Sequence, residues 1–135
     1  MSLSPTQRTI RELKNQGRSY GIVERFVQRP WQPHGIRIDL FGFLDLLVLD
    51  AERGIVGVQC CGSDFAAHYR KITEDCAEMA MEWLYCGGKI ELWGWRLLKQ
   101  KRGGKAVRWT PRIKDITLAD FSESETTIKQ TSAGA

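Results

Sequence analysis

A chain of 135 residues, 42% apolar and 27% charged, has the makeup of one ordinary globular domain large enough for a modest core. No run approaches the ~18 consecutive apolar residues of a membrane-spanning helix, and no basic-then-apolar leader opens the chain, so the expectation is a cytoplasmic protein that engages no membrane. The net charge of +4 is unevenly placed: Asp120, Glu123 and Glu125 outweigh Lys129 in the tail, which leaves the rest more basic and suited to a polyanionic partner.

Ser4-Pro5 supplies an N-cap and a first-turn proline, and Gly17 a stop, for a helix over Thr6–Gln16. Ile10 and Leu13 form its narrow apolar stripe among Arg8, Arg11, Lys14 and Arg18, with Glu12 as the one acid. That basic face is either solvated or a contact for phosphates. Tyr20–Val27 alternates as a strand, with Ile22, Glu24 and Phe26 on one face. Gln28 to Ile38, punctuated by Pro30, Pro33 and Gly35, reads as a loop that carries Trp31, His34 and Arg37 and leads to Asp39.

Two apolar runs, Phe41–Leu49 and Ile55–Cys61, are joined by a polar turn and read as strands of a buried hairpin. Alternation puts Phe43, Asp45 and Leu47 on one face of the first, and Gly57, Gln59 and Cys61 on one face of the second. An acid in a buried run is costly unless it is paired or holds a metal. For Asp45 the open alternatives are a bond to Arg25, Arg37 or a backbone amide, or a cation.

Ser63-Asp64 then caps a long helix reaching about Cys86 and stopped by Gly87-Gly88. Phe65, Tyr69, Ile72, Cys76, Met79 and Trp83 form a single core stripe, and His68, Arg70 and Lys71 make its start cationic. Lys89–Leu98 and Ala106–Ile113 read as two strands joined by a basic connection with Gly103-Gly104 at the turn. Its cations Lys99, Lys101, Arg102 and Lys105, near Trp93, Trp95 and Trp109, make either a nucleic-acid arm or a solvated loop. Residues 119–135 lack apolar periodicity and read as a disordered polar tail, leaving 1–118 as a single domain. No Cys-x-x-Cys pair occurs, and Cys60 and Cys61 point to opposite strand faces, so the cysteines read as buried apolar residues rather than zinc ligands. The element order implies an α/β (α+β) sandwich: a mixed central sheet flanked by helices, the long helix crossing over to a parallel strand, and a C-terminal hairpin.

This order, with Gly42-Phe43-Leu44-Asp45 followed by Gln59-Cys60-Cys61, resembles the PD-(D/E)XK nuclease superfamily. Within it the chain is similar to the archaeal-type Holliday junction resolvases and related phage and bacterial nuclease-like proteins, over residues 6–98. The resemblance implies a restriction-endonuclease-like αβββαβ core and cleavage of branched or duplex DNA dependent on Mg2+ or Mn2+. It also implies a homodimer, because junction resolvases cut two strands symmetrically. Asp45 stands where the superfamily has its metal-binding aspartate, Gln59 where it has a second acid, and Cys61 where it has a lysine. Glu12 would match the extra helix acid of the resolvases, with Glu24 competing for that role and Asp39 a further metal ligand. A thiol near its usual pKa is mostly neutral and cannot replace an ammonium. Lys71, two turns into the following helix, is the natural substitute. DNA contacts are expected at Arg25, Arg37, Arg70 and the Lys99–Lys105 connection. The alternative to a divergent endonuclease is a non-catalytic nucleic-acid-binding module that retains the fold.

Overall fold

The computed structural model describes residues 2–31 and 33–121. Helix α1 (Pro5–Asn15) begins where the sequence places its cap. Gln7 N–H donates to Ser4 Oγ at 3.2 Å, and Ser4 N–H donates to Gln7 Oε1 at 2.8 Å, so two otherwise orphaned amides are satisfied reciprocally. The main sheet contains β1 (Ser19–Ile22), β4 (Leu46–Asp50), β5 (Gly54–Cys61), β6 (Lys89–Lys99) and β7 (Val107–Ile116), in that spatial order. All neighbouring pairs are antiparallel except β5 and β6, which are parallel. Their connection is helical: α2 (Phe65–Arg70), a π turn (Lys71–Asp75) and α3 (Ala77–Tyr85). A two-stranded ribbon, β2 (Arg25–Val27) with β3 (Ile36–Ile38), lies between β1 and β4 in the chain. The architecture is the mixed-sheet, restriction-endonuclease-like core with a C-terminal hairpin that the resemblance implies, with the small ribbon added.

Strand alternation divides the core into two layers. Leu46, Val48, Val56, Val58, Trp93 and Trp95 face α1, where they pack with Leu13. Leu92, Ile90 and Cys61 face the crossover helices, where they meet Ile72, Ala80 and Met81. Gly57, on this second face, lies under Leu44: a Cβ added there would come within 2.5 Å of Leu44 Cδ2. Leu44 is fully buried and cannot retreat. Gly57→Ala is therefore expected to destabilise by about 1–3 kcal/mol through overpacking, read as a lower urea midpoint at unchanged m-value.

Several sequence expectations change. The run Phe41–Leu49 is not one strand: Phe41 (φ 57°) and Gly42 (φ 86°) take left-handed conformations, and the chain turns there before β4 begins at Leu46. The strand expected over Tyr20–Val27 breaks at Val23-Glu24, because both of their amides donate to the Asp45 carbonyl, at 3.0 and 3.2 Å. The loop expected over Gln28 to Ile38 ends in β3.

The long helix is interrupted by the π turn, closed by Cys76 N–H donating to Lys71 O at 2.8 Å. A π turn inserts an extra residue and advances the helical phase. As a result Ala80 and Met81 face the core, while Met79, expected in the stripe, is exposed. Residues 119–121 do not behave as a tail either. Phe121 is buried, and Asp120 accepts from Tyr69 Oη at 2.8 Å and pairs with Lys114 at 3.2 Å. The disorder expected beyond that point lies outside the described residues.

Candidate metal centre

Antiparallel pairing of Leu46 with Val58 sets Asp45 opposite Gln59 on the helix-facing side of the sheet. Asp45 N–H donates to Val58 O at 2.8 Å, so the ladder holds the residue although it precedes β4. Its Oδ2 accepts from Cys60 N–H at 2.8 Å and from Gln59 Nε2 at 2.6 Å. Neither Arg25 nor Arg37 reaches it; both are exposed on the ribbon.

The ribbon matters through its two stems. Glu24 immediately precedes β2 and Asp39 immediately follows β3, so pairing of the two strands returns both acids to the same place. Carboxylate oxygens of Glu24, Asp39 and Asp45 lie within 4.8 Å of one another. Asp45 is only 4% exposed. Burial, with the neighbouring Asp39 carboxylate adding to it against the opposing bonds from Cys60 and Gln59, pushes its carboxyl from 3.8 up to about 8.

The cationic side of the cluster comes from the crossover. Lys71 Nζ lies 3.0 Å from Asp39 Oδ2. One turn earlier, His68 Nδ1 lies 3.2 Å from Gln59 Oε1 and its Nε2 lies 3.0 Å from Asp64 Oδ2. The side chains thus form a continuous chain, Lys71–Asp39–Gln59–His68–Asp64, with Asp45 bonded to Gln59 at its centre. Lys71 is the first residue of the π turn, so the irregular turn starts where the helix meets the acids.

The structure brings together Asp45, Gln59, Asp39, Glu24 and Lys71. Glu12 is elsewhere: it accepts from Gln16 Nε2 at 2.9 Å and lines a cleft beside Trp95 and Trp109. Gln59 differs from expectation in orientation. Its amide nitrogen, not its carbonyl, faces Asp45 and Asp39, because the carbonyl is turned to His68. As placed, Gln59 binds the acids rather than extending their oxygen set.

The sequence places His68 in the cationic start of the helix with Arg70 and Lys71; the structure instead bonds it to Gln59 and Asp64. The signal lay in its spacing, four residues after Asp64 and three before Lys71, on the helix that follows the strand carrying Gln59. Cys61 is a core residue, and burial pushes the thiols of both Cys60 and Cys61 up to about 12.

Three carboxylates without a sulfur or imidazole among them form a hard oxygen donor set, which fits magnesium or manganese and does not resemble a structural zinc site. Arg70, Lys99, Lys101, Arg102 and Lys105 are exposed and none is ion-paired among the described residues. Among the described residues no helix is long and apolar enough to cross a membrane. No family model, no curated protein and no solved structure matches this chain.

Proposed function

We propose that the chain is a divergent metal-dependent DNA endonuclease. The observation carrying this reading is the convergence of Glu24, Asp39 and Asp45 beside the Lys71 ammonium. Gathering two further acids around a buried one is costly without a cation. Glu24, Asp39 and Asp45 would hold a divalent ion through carboxylate oxygens. Such an ion, when bound, supplies charge to a scissile phosphate and acidifies water.

The chain's own residues do the rest. Gln59 and the Cys60 amide fix the Asp45 carboxylate, and His68 holds the Gln59 amide in the orientation that lets it do so. Lys71, bonded to Asp39, places a mobile ammonium at the edge of the acids, where it serves developing negative charge on a phosphate oxygen. Exposed Arg25, Arg37 and Arg70, on the ribbon and on α2, provide phosphate contacts.

One observation favours a second reading, a nucleic-acid-binding module without chemistry: the Gln59 amide donates to two of the acids and partly satisfies them without an ion. Incubating the protein with supercoiled plasmid and with four-way junction DNA, in Mg2+, in Mn2+ and in EDTA, separates the two. The endonuclease reading expects nicking with either metal and none in EDTA. Salt-sensitive binding without cleavage under any metal would replace it with the second reading.

A further inference from the structure

A groove on the opposite face of the sheet, against α1, has a different chemistry from the acid cluster. It consists of three adjoining cavities of about 430, 460 and 250 Å3, all bordered by Trp95 and Trp109. Of the three tryptophans near the basic connection, Trp93 is fully buried and Trp95 nearly so, its Nε1 donating to Thr9 Oγ1 at 2.9 Å. Trp109 is the open one, 39% exposed on the edge strand β7. The Arg8 guanidinium lies 3.8 Å from the centre of its ring and is steadied by Ser2 Oγ at 3.1 Å.

The cations along the groove are Arg8, Arg11, Arg96, Lys99 and Arg108. Among the described residues none of them is ion-paired, and Glu12 is the groove's one acid. Guanidinium groups without ion-pair partners, in a recess beside a partly exposed indole, offer contacts for anionic phosphates and for a flat ring together.

We propose that this groove binds single-stranded nucleic acid, with a base stacked at the Trp109–Arg8 platform and the backbone phosphates on Arg11, Arg96 and Arg108. Charge complementarity selects a polyanion. The recessed indole selects an unpaired base, because duplex bases are already stacked on one another. The groove runs to Gly62 and Ser63, which follow the end of β5. A strand lying in it is thereby led toward the end of the sheet that carries the acids. Binding itself does not depend on those acids being catalytic.

The test uses the full chain in EDTA, with a fluorescently labelled oligodeoxythymidine of about 20 nucleotides and a duplex of the same length. The wild type is expected to prefer the single strand, with tryptophan emission quenched on binding. Trp109→Ala should weaken binding roughly tenfold or more, while Trp109→Phe keeps most of it. Arg96→Gln and Arg108→Gln should each lower the slope of log affinity against log salt by about 0.7. Asp45→Asn should bind like the wild type, so loss of the metal reading would leave this one standing. Equal affinity of wild type and Trp109→Ala for the oligonucleotide overturns the proposal. So does a concentration-dependent dimer that shields Trp109 from quenching, which would make the groove a contact between copies of the chain.

Discussion

Asp45→Asn is expected to abolish metal-dependent cleavage and, in the same protein, to raise thermal stability at neutral pH. The two effects share a cause. Asp45 Oδ2 accepts two hydrogen bonds, from Gln59 and from the Cys60 amide, and an asparagine carbonyl in its place accepts both. The other atom becomes an N–H2 group, which donates toward neighbouring acids instead of repelling them. What is lost is the charge that an ion would need.

The pH dependence follows from the raised carboxyl. Asp45 moves from 3.8 to about 8 on folding, so between those values the folded chain holds a proton that the unfolded chain has released. Its contribution to stability is full below the lower value and is lost as pH rises through the upper one. The wild type in EDTA should therefore weaken from pH 4 to pH 8 at this site, and the variant should not. At pH 8 the variant should be more stable by about 2 kcal/mol or more, with the gap narrowing toward pH 5. Denaturant melts of both proteins at the two pH values measure this. A variant less stable than wild type at pH 8 would show that the carboxylate is a structural anchor and not a destabilising functional group.

Lys71→Met should cost catalysis heavily and stability little. The Lys71 side chain is 34% exposed, and an ion pair at that exposure contributes at most about 1 kcal/mol. As a positioned cation beside the reacting phosphate it is worth far more: removing one preorganised donor typically lowers the rate by about 10² to 10³. Mn2+ should still bind, since Asp39 is freed from its lysine partner. Lys71→Arg keeps the charge and should recover part of the rate. Single-turnover cleavage rates beside Mn2+ titrations separate these effects. An undiminished rate in Lys71→Met would remove the lysine from the chemistry and return the position to an ordinary surface pair.

The central hairpin was legible as two short apolar runs around a polar turn, although the first becomes a strand only at Leu46; its register sets Asp45 across from Gln59. Lys71 was reached through the resemblance, as the lysine two turns into the helix after Ser63-Asp64; the cap expected of Asp64 does not form, because its carboxylate bonds His68 instead. The ribbon was not legible. Its strands are three residues each and separated by two prolines, and short strands give no periodicity to read. For that reason sequence alone gave no account of how Glu24 and Asp39 meet.

The π turn left no compositional trace either. Its effect appears only as a phase slip that exposes Met79 and buries Ala80 and Met81. Phe121 was hidden for the opposite reason: a single aromatic at the start of a polar stretch carries no pattern, although here it reaches the core. His68 shows the limit at the site itself. One histidine on a helix becomes informative only when the residue it faces, Gln59, is known to hold an acid.

Titration of the wild-type protein and of Asp45→Asn with Mn2+, followed by electron paramagnetic resonance of the free ion, tests the metal centre most directly. The convergence of Glu24, Asp39 and Asp45 predicts one bound ion per chain in the wild type, with affinity rising from pH 6 to pH 8, and none in the variant. An ion bound equally by both proteins, or by neither at millimolar manganese, would contradict it.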